Sequence, residues 1–227
     1  LIQGATCRVI SGETHGTGFI LAKVLVLTAR HCARPAIEQG QAITLRFTLA
    51  TGDVTTSAQV LDQSEELDAC LLTFEQTFES TRIPLQGEVP REGSEWRSFG
   101  FPASKSDLGH RVTGKIDHVL PKPKARTDLD MTVDAVADVA NYRGYSGGAV
   151  VVDGVIVGML RYKFGGSLGA ISVHALADFL KAHRLGPEDK APAGEAKILA
   201  DRDAFQQSFE GVIKENPGGY VFLQGGH

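Results

Sequence analysis

The stretch from Asn141 to Gly154, NYRGYSGGAVVVDG, sets one serine, Ser146, among glycines at the mouth of an apolar run. Glycines let the backbone take positive φ and bend sharply, which lifts a hydroxyl clear of the surface and turns neighbouring N–H groups the same way. The same residues also suit an ordinary turn entering a strand. A serine hydroxyl attacks a carbonyl carbon only when an imidazole takes its proton and a carboxylate holds that imidazole in the right tautomer. Two positions offer those groups: His31 directly follows the apolar run VLVLTAR, and Asp68 directly precedes ACLLTF. Of the other acids nearby, Asp62, Glu65 and Glu66 read as a solvated turn. His15, His110, His118, His174 and His183 lack a comparable context.

These groups need a scaffold that presents strand ends. From residue 5 to about 172 the chain is a succession of short runs rich in Val, Ile, Leu, Thr and Phe, broken about every ten residues by Gly, Pro, Asp or Asn. GFILA, VLVLTA, AITLRFTLA, TTSAQVLD, ACLLTF, EWRSFGF, HRVTGKIDHVL, MTVDAVA, GGAVVV, GVIVGMLRY and LGAISV are the examples. With no amphipathic helices between them, they predict an all-β sandwich or barrel rather than a parallel α/β sheet. A late helix is expected over 173–185, with apolar residues at 173, 176, 179 and 180 and a stop at Gly186. The Pro- and Gly-rich stretch IPLQGEVPREGSEW marks a seam between two halves, and PEDKAPAGEAK, within 186–200, reads as a linker.

GTGFILAKVLVLTARHCA, LDACLLTF and YRGYSGGAVV resemble, in order, the three sequence blocks of the trypsin-like (chymotrypsin-fold) serine proteases. The resemblance covers residues 5 to 185, with intervals of 37 and 78 residues between the triad positions. It implies an all-β fold of two six-stranded antiparallel β-barrels with a C-terminal helix: barrel one about 1–88, barrel two about 89–172, and the whole peptidase domain 1–185. It also implies that Ser146 is the nucleophile, His31 the general base and later acid, and Asp68 the orienting carboxylate. The backbone N–H groups of Gly144 and Ser146 would form the oxyanion hole. The substrate is then a protein or peptide, and no metal or other cofactor is required. Catalysis is one outcome of this resemblance; a peptide-binding pseudoprotease, or a domain inert until a partner assembles it, are the others.

The chain departs from secreted family members in three places. Tyr145 stands where they carry an aspartate that pairs with a freed N-terminal amine, which is closer to HtrA-like and other intracellular bacterial branches. Cys32 matches a disulfide-bonded position whose partner falls near Gly16, so that bridge is lost. Ala140 falls at the base of the primary pocket, in place of the aspartate that selects basic residues, unless a small shift brings Asp138 there. Arg143, Arg161 and Lys163 are expected near the cleft, where they would favour acidic peptide groups.

At 227 residues and 42% hydrophobic content the chain suits a soluble globular protein with one large core or two small ones. A net charge of −4 with scattered Lys and Arg argues against nucleic acid and anionic membranes as partners. The apolar stretches are too short to span a bilayer, and LIQGATCRVISG does not read as a signal peptide. Cys7, Cys32 and Cys70, odd in number and widely spaced, read as free thiols and favour a cytoplasmic location. Residues 201–227 read as a helix, a Pro-Gly-Gly turn and a strand, YVFLQG, leading to Gly225. That segment resembles the approach to the phosphate loop of STAND-type NTPases. It implies a sensor NTPase domain as partner in a longer chain and an effector role in bacterial antiviral defence.

Overall fold

A computed structural model describes residues 2–49, 51–75, 78, 81–105, 107–134, 142–164 and 167–186. The linker and the helix-strand extension expected after Gly186, like Ala140 and Asp138, lie outside the described residues.

The first six strands are β1 Thr6–Ser11, β2 Thr14–Ala22, β3 Leu25–Ala29, β4 Ile43–Leu49, β5 Gly52–Ser64 and β6 Ala69–Phe74. They close into a barrel in the order β1-β2-β3-β6-β5-β4. A short helix, α1 Arg34–Gln39, begins with Pro35 in its first turn and ends at Gly40 with φ +67, the conformation that stops a helix most cheaply at glycine. The second barrel holds β7 Glu95–Gly100, β8 His110–Lys124, β9 Thr127–Met131, β10 Ala149–Val152, β11 Val155–Phe164 and β12 Ser167–Ser172, closed in the order β10-β11-β12-β9-β8-β7. All the named strand pairs are antiparallel. The expected fold, two six-stranded antiparallel barrels, is the one observed.

Alternation along the strands fills each barrel from within. Val9, Ile20, Val26, Leu45, Phe47 and Leu72 pack inside the first, and Trp96, Val112, Ile116, Leu129, Met131 and Val150 inside the second. A third cluster lies between the barrels, where Phe19, Leu27 and Leu71 meet Phe99, Phe101, Met159, Ile171 and Leu180. The Pro-rich connection adds Ile83 and Leu85 to this cluster. It is stitched to β11 by Ile156 N–H to Pro84 O (2.8 Å) and Gln86 N–H to Ile156 O (2.8 Å).

Two element boundaries differ from expectation. The late helix, α2, covers only Ala177–Lys181; Val173–Leu176 and Ala182–Arg184 form turns. Ser172 Oγ accepts the Ala175 N–H, and Arg184 at φ +58 sends the Leu185 N–H back to Leu180 O, so side-chain and left-handed turn chemistry replace helical bonding at both ends. Of the described part of MTVDAVA only Met131, the last residue of β9, is in a strand. Thr132 and Asp134 still donate their N–H groups to Lys115 O and Thr113 O.

Candidate active site

His31 sits in a 3-10 turn, Arg30–Cys32, that directly follows β3. Asp68 occupies the turn before β6 with φ +46, a left-handed conformation that Asp tolerates better than most residues. The two are tied twice: His31 Nδ1 lies 2.7 Å from Asp68 Oδ2, and the His31 backbone N–H donates to Asp68 Oδ1 at 2.9 Å. Arg30 N–H donates to Asp68 O at 2.9 Å. The Asp68 side chain is 3% exposed and that of His31 37%, so the carboxylate is walled off while the imidazole keeps a face toward solvent.

Ser146 enters the seam from barrel two, in the turn before β10. Its carbonyl accepts the Thr17 N–H at 2.8 Å, and the Cys32 thiol approaches the same oxygen at 3.5 Å. The turn therefore docks against the residue next to His31. The Ser146 hydroxyl donates to Arg161 O at 2.6 Å. Its one proton is thus directed at a carbonyl rather than at His31.

The two candidate oxyanion donors are set by their own peptide planes. Arg143 O accepts Ala103 N–H at 2.9 Å and Tyr145 O accepts Gly148 N–H at 2.9 Å. In trans peptides the N–H points opposite the carbonyl, so the Gly144 and Ser146 N–H groups face away from those acceptors. Among the described residues neither has a hydrogen-bond partner. Gly144 has φ +102, and a Cβ there would lie 2.2 Å from Phe101 O, which requires glycine.

Tyr145 fills the slot expected to hold no charge. It is buried, and its hydroxyl donates to His110 O (3.3 Å) while lying 2.9 Å from His110 Nδ1. Burial pushes the phenol well above its usual ionisation range. At Gly16 an added Cβ would lie 2.3 Å from Cys32 Sγ, so the sites of the lost bridge do adjoin. All three cysteines are free and buried; burial raises the Cys70 thiol to about 12 and Cys7 beyond it.

Of the four expected pocket residues, Arg143 is exposed and close enough to His15 to oppose its protonation, adding to burial and Arg8 in lowering that imidazole. The Lys163 side chain and Ala140 lie outside the described residues. Arg161 differs from expectation. Its side chain is 4% exposed and its guanidinium contacts the Asp68 carboxylate and donates to Asp68 O at 2.6 Å. The β11–β12 register shifts between Leu160 and Tyr162, so Arg161 is the extra residue of a bulge, a device that re-aims a side chain. Only its backbone carbonyl faces Ser146. Among the described residues no group of three His, Cys, Asp or Glu is placed to hold a metal ion, and no helix is long and apolar enough to cross a membrane.

Two closed barrels with an Asp-His pair and a glycine-framed serine in the seam define the architecture of trypsin-like peptidases. Residues 16–159 match the family model described as "Trypsin-like peptidase domain", and the chain belongs to that family. Among solved structures, Deg5 aligns with TM-score 0.64 at 16% identity over 77% of this chain and 86% of its own. The serine endoprotease from Yersinia pestis aligns with TM-score 0.62 at 22% identity over 80% of this chain and 63% of its own. The Rv3671c protease of M. tuberculosis, in an inactive form, aligns with TM-score 0.63 at 17% identity over 80% of this chain and 89% of its own. At these identities the likeness is one of fold. No curated protein matches the sequence.

Proposed function

We propose that the protein is a serine endopeptidase that hydrolyses protein or peptide substrates through an acyl-enzyme. Ser146 Oγ attacks the scissile carbonyl carbon while His31 Nε2 takes its proton, and the Gly144 and Ser146 N–H groups receive the developing oxyanion. Collapse breaks the C–N bond, and the imidazolium passes its proton to the leaving amine. Water, deprotonated by His31, then releases the acid product and restores Ser146. Asp68 keeps the proton on His31 Nδ1 and opposes the transient positive charge. The observation that carries this reading is the pair of unpartnered N–H groups framing Ser146, in the same seam as an imidazole bonded to a buried carboxylate. A fluorophosphonate probe should label the protein, and Ser146→Ala should abolish labelling and lower proteolysis by about a millionfold. A drop of only a few-fold would overturn the assignment.

One observation favours a second reading, a domain latent until a partner engages it. The Ser146 proton is held by Arg161 O, so the resting hydroxyl is disengaged from His31. Labelling that appears only with the full-length parent and its trigger would select this reading. The sequence likeness of YVFLQGG to the strand before an NTPase phosphate loop makes a STAND sensor domain that partner, and antiviral defence the setting. The three free, buried thiols suit a cytoplasmic location. Reading the parent gene past His227 tests the sensor: a stop codon there removes it.

A further inference from the structure

We infer that Thr17 is a positioning residue for the oxyanion hole, acting from barrel one on the peptides that directly follow the two donor residues in barrel two. This rests on the proposed hydrolytic role of Ser146. Thr17 lies on β2 and is fully buried. Its Oγ1 donates to Gly144 O at 2.6 Å and accepts the Phe101 N–H at 3.1 Å. Its backbone N–H donates to Ser146 O at 2.8 Å, and its own carbonyl accepts the Thr28 hydroxyl at 2.7 Å. Every polar atom of the residue is thus used, and three of the four bonds cross to the other barrel.

The two carbonyls that Thr17 holds belong to the residues whose N–H groups would bind the oxyanion. Fixing Gly144 O sets the plane of the peptide after Gly144, and fixing Ser146 O sets the plane after Ser146. The third bond, from Phe101 N–H, holds the segment whose Ala103 N–H orients the Arg143–Gly144 peptide. One hydroxyl therefore couples both sides of the turn. The fit is tight: a Cβ on Gly147 would lie 2.0 Å from Thr17 O, and one on Gly100 2.9 Å from Thr17 Oγ1. Removing the hydroxyl leaves a buried acceptor and a buried donor unpaired, a loss that drives local rearrangement. A donor displaced by a fraction of an ångström no longer meets the tetrahedral oxyanion.

The test compares Thr17→Val, which keeps the shape, with Thr17→Ser, which keeps the hydroxyl. Thr17→Val should slow fluorophosphonate labelling by about 100-fold and lower kcat on a peptide substrate with KM unchanged; Thr17→Ser should stay within about threefold of wild type. Amide hydrogen exchange at Ala103 and Gly148, whose bonds orient the two donor peptides, should accelerate in Thr17→Val only. Should the valine variant not fold, Thr17→Ala replaces it in the same comparison. Wild-type labelling rates in Thr17→Val, or equal losses in the serine and valine variants, overturn the inference. If wild type and Ser146→Ala label alike, the hydrolytic reading falls instead, and exchange at Ala103 and Gly148 still decides the role of Thr17.

Discussion

Asp68 has more partners than orientation of His31 requires. Its carboxylate takes the His31 N–H, faces Nδ1 and meets the Arg161 guanidinium, while its backbone carbonyl binds Arg30 and Arg161. Both charges are nearly inaccessible, at 3% and 4% side-chain exposure, so removing one takes a close opposite charge from the other in a site that water does not reach. Asp68→Asn should therefore do two separable things. The amide favours the wrong imidazole tautomer, for a loss in kcat of about 10⁴-fold, and it takes the carboxylate charge away from the buried Arg161 guanidinium, for a stability loss of about 3–5 kcal/mol. Urea titration beside a kinetic assay separates them; unchanged stability would show that the Arg161 contact carries no weight. That His31 meets Asp68 and that Ser146 enters the same seam was legible because their residue types and order are restrictive. Arg161 was not, because a bulge reverses the inward-outward alternation at one residue and VIVGMLRYKF carries no signal for it. Nor does the sequence single out Thr17, whose hydroxyl bonds a partner 127 residues away.

At the scale of elements, strand positions followed from the spacing of turn residues, since Gly, Asp and Pro break the runs wherever a hairpin turns. The late helix was harder to bound. Val173, Leu176 and Leu180 are buried as its apolar pattern predicts, yet the first two lie in a turn. Burial periodicity records which side faces the core and does not distinguish a helix from successive turns. The turn after α2 is fastened to barrel one by His183 Nε2 and Asp62 Oδ2 at 2.6 Å. The His183 bond and the Gln63 N–H hold the Asp62 carboxyl below its ordinary range. A depressed carboxylate stabilises the fold above its unfolded pKa, and that contribution fades as pH falls through the folded value. The Asp62 side chain is 43% exposed, so solvent screening keeps the effect small. Asp62→Asn should cost about 0.5 kcal/mol near neutrality and nothing measurable near pH ~2. Paired urea curves at the two pH values check this, and a cost that persists in acid would assign it to packing instead.

At the scale of the molecule, the arrangement that permits chemistry in the seam also governs how the fold comes apart. Each barrel has its own interior, but the cluster containing Phe19, Leu27, Leu71, Phe99, Phe101 and Leu180 belongs to both, and the bonds from Thr17 span them. Separating the barrels would expose that apolar surface at about 25 cal/mol per Å² and strip partners from buried backbone groups. Neither barrel gains by opening alone, so unfolding should be a single transition. The sequence supplies separate reporters for the halves. The single tryptophan, Trp96, is buried in barrel two, while Cys7 and Cys70 are buried inside barrel one and Cys32 lies in the cluster between the barrels. Trp96 fluorescence and thiol reactivity should therefore change at the same urea concentration, with the thiols silent below it. Cys7 or Cys70 reacting while Trp96 still reports a native environment would mean that barrel one opens by itself. The seam would then be a docking surface between two independently stable halves, and its geometry would be open to control by anything that binds across it.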